Sequence, residues 1–280
     1  MKKSVIVITD FSESAANSLT YACKFASDYN LNILLVHIFT IPIGYAAEGL
    51  SLATIEDILN ADEERLQGEL NKMYKELNRL KNKHTHVHIE AKMITGDFLE
   101  SLQELTTEMN PELIIMGSRG KYAESSFWDH DWLNSLIMVS CPILVIPQHI
   151  AYSPILRIAF AADNKNSCSP AQIDTIKKIV LLSEANFHIV HVSTPSDRDG
   201  ENNKAYVYNE VFTDIDPQYI TVENKSVVRG IAEFIQQYFI DLLIVIPHKH
   251  SLWYNLFNKS YTKQLALLNH IPVLVIHDSG

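Results

Sequence analysis

The two halves of this chain carry the same series of short apolar segments in the same order. Residues 112–116 correspond to 241–246, and residues 141–146 correspond to 271–276. Self-similarity at a period near half the chain is the sequence mark of a duplicated structural unit. We therefore expect two similar units in tandem, each with its own sheet.

Within each half, the apolar runs alternate with stretches of helical periodicity. This order is typical of βαβ units, in which right-handed helical crossovers join parallel strands. It predicts an α/β fold of two tandem doubly wound domains, 1–150 and 151–280, each built on a five-stranded parallel sheet. The second domain is shorter because it lacks most of the long amphipathic stretch at 52–81. The predicted strands are 4–8, 33–38, 87–94, 113–116, 142–147, 156–161, 187–192, 219–222, 241–246 and 271–276.

The composition indicates a soluble protein with a large core, since 47% of the residues are hydrophobic and 20% are charged. The formal charge of −10 argues against a nucleic-acid partner, because phosphate binding requires a basic face. No apolar run approaches the roughly 20 residues that span a bilayer. The three cysteines share no CxxC spacing. We expect a cytoplasmic protein with reduced thiols and no membrane partner.

Two polar loops follow apolar strands in the first half. Thr9 and Asp10 follow the first strand, and Gly117 and Gly120 frame the loop after the fourth. In open α/β sheets, ligands bind at the carboxyl ends of the strands. Glycines at such a position admit tight turns and let a ligand approach the backbone. The end of the fourth strand is therefore the first candidate for a binding loop.

Together these motifs resemble the universal stress protein family, present twice. The resemblance is carried by Thr9-Asp10-Phe11-Ser12-Glu13, His37-Ile38, Met116-Gly117-Ser118-Arg119-Gly120 and Cys141-Pro142-Ile143-Leu144-Val145. It covers essentially the whole chain and implies strand order 3-2-1-4-5 in each domain, with helices on both faces. It also implies antiparallel pairing of the fifth strands, here 143–146 with 273–276. The two domains would then form an intramolecular pseudo-dimer that hides two sheet edges.

The resemblance further implies an adenine-nucleotide site with the pattern Gly-x-x-Gly, nine residues, then Gly-Ser or Gly-Thr. Small residues there let backbone N–H groups meet phosphate oxygens at a helix start. The first half keeps Gly117 and Gly120 but has His130 and Asp131 at the later positions, which oppose a triphosphate by bulk and charge. The second half has Pro247, which lacks an N–H, in place of the first glycine. The motif is therefore degenerate in both halves.

By the same resemblance, the candidate nucleotide site comprises Thr9, Asp10, Ile38, Met116, Gly117, Arg119, Gly120 and His130. Asp10 would bind the ribose of an adenosine; its alternative role is that of a turn-forming residue after a strand. AMP or adenosine would avoid part of the repulsion from Asp131. We therefore expect no firmly bound cofactor, with ATP or AMP as the alternative.

Other residues whose side chains could bind a metal or act as nucleophiles have simpler interpretations. His84, His86 and His88 alternate as zinc ligands could, but no fourth ligand is evident nearby, which favours a solvated segment. Ser118 has no paired base, and Cys141 precedes a proline in a buried strand. We expect neither a metal site nor a catalytic site.

His37 and His191 lie at matching places in apolar strands, which favours core or strand-end histidines over a pH sensor. The aromatic segment 127–132 either fills the vacant pocket or offers a partner surface. The expected function is that of a non-enzymatic cytoplasmic stress-response protein acting through protein contacts or a weakly bound small ligand. The alternative is a stress sensor that binds ATP or another adenine nucleotide in its first domain.

Overall fold

The computed structural model places ten strands in one continuous sheet. It describes residues 3–40, 52–80, 87–118, 138–162, 168–195, 208, 211–247 and 271–277. The strands are β1 (Ser4–Ile8), β2 (Asn32–Phe39), β3 (Ile89–Thr95), β4 (Leu113–Gly117), β5 (Ile143–Ile146), β6 (Arg157–Ala161), β7 (Asn186–Ser193), β8 (Gln218–Glu223), β9 (Leu242–Val245) and β10 (Val273–Val275). The helices are α1 (Glu13–Asp28), α2 (Leu52–Leu80), α3 (Phe98–Met109), α4 (Pro170–Ser183) and α5 (Val227–Tyr238), with a 3₁₀ turn at Thr213–Ile215.

The strand order is β3-β2-β1-β4-β5-β10-β9-β6-β7-β8. Each half therefore has the order 3-2-1-4-5 among its own strands, and all pairs within a half are parallel. Strands β5 and β10 pair in antiparallel fashion, with Leu144 opposite Leu274. The predicted fold, strand order and pairing of the fifth strands are confirmed, whereas the domain limits 1–150 and 151–280 stay a prediction.

Both faces of the sheet are buried, so alternate residues of one strand enter different cores. Val5 packs in a cluster with Leu19 of α1 and Leu70 of α2, while Ile6 packs in a cluster with Leu102 of α3. Burial on both faces explains why the strands are continuous apolar runs without polar alternation. The helices of each half thus cover the sheet and leave the ends of its strands available for function.

Polar side chains cap two helices of the first half. Ser12 caps α1 by accepting a hydrogen bond from the N–H of Ala15 at 3.1 Å, and Asp97 caps α3 in the same way. Along α2, Leu70 and Leu77 are buried, so this helix packs on the sheet. No helix in the described ranges is long and apolar enough to cross a membrane.

The second half covers the corresponding face of its sheet partly with aromatic side chains. Phe212 is fully buried, and its ring lies 5.5 Å from that of Phe187 and 6.4 Å from that of Phe160. Tyr208 meets the ring of Phe160 edge to face at 5.6 Å. These rings help to bury a sheet face on which the first half places α2.

Candidate functional site

The loop after β1 is held by its own side chains. The carboxylate Oδ1 of Asp10 accepts a hydrogen bond from the N–H of Ser12 at 3.0 Å, and Thr9 Oγ1 accepts one from the N–H of Phe11 at 3.1 Å. Phe11 lies in the left-handed region with φ of 63°. These contacts support the turn-forming interpretation of Asp10, because its carboxylate fixes the residue that starts α1.

Next to this loop, His37 of β2 is buried and only 5% exposed. Its ring Nδ1 lies 2.8 Å from the carbonyl oxygen of Thr9. Because a carbonyl oxygen only accepts hydrogen bonds, Nδ1 is assigned the proton. Burial lowers the pKa of His37 below its usual 6.5, and it outweighs the Thr9 carbonyl and the charge of Asp10, which both raise it. His37 is therefore neutral at pH 7.

Phe11 and Met73 close the space around the end of β1. The ring of Phe11 lies against that of His37, with centroids 4.4 Å apart and planes tilted by 43°. The hydroxyl of Thr9 donates to the sulfur of Met73 at 3.3 Å, which ties α2 to the end of β1. A ligand that enters here must therefore stack on Phe11 or displace it.

At the end of β4, Gly117 lies directly against the first turn of α1. A Cβ at this position would come within 2.4 Å of the Oγ of Ser14 and 2.8 Å of its carbonyl carbon and oxygen. Gly117 does not adopt a positive φ. Glycine is thus required for the close approach of α1, which differs from the expected turn or ligand contact.

Five of the predicted site residues come together at one edge of the sheet. Since β1 lies between β2 and β4, the carboxyl ends of these three strands are adjacent. They bring together Thr9, Asp10, Ile38, Met116 and Gly117. The remaining three, Arg119, Gly120 and His130, lie outside the described residues, as does Asp131.

The second half has a similar arrangement at the end of β6. The Nδ1 of His191 lies 3.5 Å from the carbonyl oxygen of Ala162. Pro247 follows the β9 segment and offers no N–H to an anion. His250 and Ser260, which stand at the second and third glycine positions of the motif in this half, lie outside the described residues.

Cys141, just before β5, has an unreactive thiol. Burial, followed by the charge of Glu112, raises the pKa of the Cys141 thiol to about 12. The thiol therefore stays protonated at neutral pH, which makes it a poor nucleophile. The sulfur lies 3.7 Å from the carbonyl oxygen of Pro111.

Of the three histidines before β3, His88 is the one that the structure describes. His88 is exposed and pairs with Glu90, with 2.9 Å between Nε2 and Oε1. His84 and His86 lie outside the described residues. Within the part of the chain that the structure describes, no three potential metal ligands cluster.

Sequence reasoning missed Phe11, Ser14 and Met73 as residues of this region. Met73 lies 64 positions from Thr9, and its spacing along α2 marked it only as a core residue. Ser14 lies within the first turn after a cap, where serine is common. Phe11 stood inside the motif, but nothing in the sequence indicated that its ring would cover His37.

Comparisons with known proteins agree with this geometry. The model of the universal stress protein family matches residues 1–147. Universal stress protein Slr1230 of Synechocystis sp. is 27% identical over 292 residues, which cover 97% of this chain and 99% of that protein. A universal stress protein of Archaeoglobus fulgidus has a TM-score of 0.68 at 15% identity, covering 98% of this chain and 96% of that one. The functionally unknown protein PA1789 of Pseudomonas aeruginosa has a TM-score of 0.53 at 15% identity, covering 99% and 92%. The two structural likenesses show a shared fold.

Proposed function

The chain belongs to the universal stress protein family, and from that premise we propose that it is a non-catalytic cytoplasmic stress-response protein. It acts through protein contacts or through a small ligand held weakly at the carboxyl ends of β1, β2 and β4.

The observation that carries this proposal is that side chains of the protein fill the space at the carboxyl end of β1. The ring of Phe11 covers that of His37, with 4.4 Å between their centroids, and the sulfur of Met73 accepts a hydrogen bond from the hydroxyl of Thr9. A ligand gains little from a site whose walls already contact one another, because it must first replace those contacts. Weak binding follows from this arrangement.

The two reactive side chains near the sheet ends support a non-catalytic role. The thiol of Cys141 is kept protonated by burial. His37 is neutral, but its Nδ1 faces the Thr9 carbonyl and its ring lies under Phe11. A general base must reach the proton that it removes, and the cover over His37 restricts that reach.

An adenine-nucleotide sensor is the second candidate. It is favoured by the placement of Asp10 and Gly117 at the point where the strand order reverses between β1 and β4, which is where open α/β sheets bind ligands. In this candidate the carboxylate of Asp10 binds ribose hydroxyls, and the base stacks near Phe11. AMP or adenosine is expected to bind better than ATP, because the family pattern aligns Asp131 with the hydroxyl position of the phosphate motif, where a carboxylate would oppose the outer phosphates.

Calorimetric titration with ATP, AMP and adenosine in the presence of Mg²⁺ separates the two candidates. The primary proposal predicts weak heat or none with all three, and no phosphate release from ATP. Saturable binding of ATP, AMP or adenosine at micromolar concentration, or turnover of ATP, would overturn it in favour of the sensor.

Two variants, with one matched control, locate any binding that is found. Asp10→Ala should abolish binding in the first half, while the matched change Asp163→Ala after β6 should leave it unchanged. Phe11→Ala should increase the affinity if Phe11 blocks the site and decrease it if Phe11 is the stacking surface.

A further inference from the structure

The third cysteine of the chain stands at the start of a helix. Cys168 directly precedes Ser169, the residue that caps α4, and it is partly exposed, whereas Cys23 and Cys141 are buried. Its thiol donates to the hydroxyl oxygen of Tyr208, with 3.8 Å between sulfur and oxygen. The start of a helix stabilises negative charge, and reactive cysteines are partly exposed thiols in such surroundings. Cys168 is therefore the cysteine of this chain that is best placed to react.

The side chain of Gln172 lies buried at the same helix start with one of its hydrogen-bonding atoms unused. It is 1% exposed, and its Oε1 accepts a hydrogen bond from the N–H of Ser169 at 2.8 Å. Because an N–H requires an acceptor, this contact fixes which end of the amide is oxygen. The planar amide thus lies against the peptide bond between Cys168 and Ser169. Its Nε2 has no hydrogen-bond partner among the described residues, so a buried donor is left at the start of α4.

The first half shows that the start of such a helix does not require a glutamine. Ser12 caps α1 as Ser169 caps α4, which makes Ala15 the equivalent of Gln172. A buried amide with an unpaired N–H costs stability, and a group of this kind in a folded protein needs an explanation. Capping alone does not give one, because it uses only the oxygen of the amide. The unpaired donor is explained by an acceptor that the described residues do not supply.

An oxygen atom bound to the sulfur of Cys168 meets this requirement. No hydrogen bond joins Nε2 of Gln172 to the sulfur itself, and an added oxygen gives Cys168 an acceptor that reaches beyond its sulfur. Such an oxygen carries negative charge when it is ionised, and hydrogen bonds to charged acceptors are the strong ones. The start of α4 and the amide of Gln172 therefore stabilise the same oxidised form of the cysteine.

We propose that Cys168 is a site of reversible oxidation by peroxides, at which the oxygen of the sulfenic acid accepts a hydrogen bond from Nε2 of Gln172. Gln172 is a positioning residue in this proposal, because it holds the oxygen and takes no part in the transfer. The proposal goes beyond a weak ligand site in the first half, since it gives the second half a chemical response of its own.

The reaction balances with hydrogen peroxide as the oxidant. The sulfur of Cys168 attacks one oxygen of the peroxide, so that an S–O bond forms and the O–O bond breaks. The other oxygen leaves as hydroxide and takes the thiol proton to become water. The sulfur loses two electrons, and the peroxide gains them. The sulfenic acid condenses with a second thiol and releases water, which opens the route back to the reduced protein.

Treatment of the full chain with hydrogen peroxide, followed by trapping with dimedone and mass spectrometry of the peptides, tests the proposal. We expect a sulfenic acid label on Cys168 and none on Cys23 or Cys141, which are 8% and 7% exposed. Addition of dimedone after increasing delays measures how long the sulfenic acid survives. Labelling of Cys168 that does not exceed that of the two buried cysteines would overturn the proposal.

Two variants of Gln172 separate its donor from its role at the helix start. Gln172→Met has similar length and lacks both the donor and the oxygen that the N–H of Ser169 uses. Gln172→Glu keeps that oxygen and lacks the amide donor. Both variants should shorten the lifetime of the sulfenic acid by about tenfold, the value of one hydrogen bond to a charged group. A loss confined to Gln172→Met would assign Gln172 to capping alone and overturn its part in the proposal.

Two controls separate the hydrogen bond from charge and from access. Gln236→Glu makes the same change in charge at an exposed position of α5 and should leave the lifetime unchanged. Alkylation of Cys168 by iodoacetamide reports access to the sulfur without placing an oxygen on it, so its rate in Gln172→Met should stay near that of the wild type. Lifetimes that are equal in the wild type and both Gln172 variants, or that change in parallel with alkylation, would contradict a hydrogen bond from Gln172 to the oxygen.

Discussion

His37 and His191 occupy equivalent places in the two halves, each with its ring Nδ1 directed at the carbonyl of the residue after the half's first strand. The distances are 2.8 Å to Thr9 and 3.5 Å to Ala162. Thr9 and Ala162 are themselves equivalent, because the N–H of each bonds to a carbonyl of the neighbouring second strand. The duplication therefore extends from the strand order to a single side-chain contact at the candidate site.

The pKa of His37 should lie below the usual histidine value of 6.5, and the neutral ring should carry its proton on Nδ1. Burial disfavours the charged ring, and the Thr9 carbonyl fixes the tautomer. Nitrogen-detected NMR of the ring resonances measures both quantities, with His37→Gln providing the assignment. A ring that is protonated at pH 7, or neutral with its proton on Nε2, would contradict this description of the site.

Gly117→Ala should destabilise the protein by about 1–3 kcal/mol through overpacking. The added methyl meets the backbone of Ser14 at 2.8 Å, which cannot move without shifting α1. Gly68→Ala is the control, because no atom lies within 4 Å of a Cβ there and alanine favours the helix. Urea unfolding should show the two changes with opposite signs. Equal effects would mean that α1 does not press on Gly117.

The fold follows from the sequence because apolar runs, caps and the duplication are local or periodic signals. Ser12 and Asp97 cap their helices, a role that serine and aspartate commonly take before a helical stretch. The pairing of β5 with β10 was predictable from the family resemblance and from the need to cover two sheet edges.

The candidate site was less predictable, because its contacts join residues far apart in sequence. The interaction of Thr9 with Met73 depends on how α2 crosses the sheet, which no short pattern encodes. The need for glycine at position 117 depends on the distance between α1 and β4, so its motif indicated a ligand where the structure shows a helix.

Tyr152 should anchor the segment between the halves to α1. Its hydroxyl donates to Asp28 Oδ2 at 2.6 Å, and its ring meets Tyr21 edge to face at 5.0 Å. Tyr152→Phe removes only the hydrogen bond and should cost about 1 kcal/mol. Tyr152→Ala also removes the ring contact, which is worth about 0.5–1.5 kcal/mol beyond the buried area. Chemical unfolding that shows equal losses for both variants would assign no role to the ring.

His277 should make the protein sensitive to mild acid. The residue follows β10, is 4% exposed, and neither of its ring nitrogens has a hydrogen-bond partner among the described residues. Burial lowers its pKa from 6.5 to about 4. Between these two values the unfolded chain binds a proton that the folded chain does not, so the free energy of unfolding falls as the pH falls. The loss begins near 6.5 and is complete below about 4.

The full loss from His277 is roughly 3 kcal/mol at about 1.4 kcal/mol per unit of pKa shift. His37 and His188 also have lowered pKa values and act in the same direction, so the contribution of His277 must be measured by difference. His277→Met removes the titrating ring at similar volume and should flatten the stability curve between pH 6.5 and 4 relative to the wild type. His88→Gln serves as a comparison in which an exposed histidine is replaced in place of a buried one. A His277→Met curve that parallels the wild type in this range would show that His277 is charged, or hydrogen-bonded, in the folded protein.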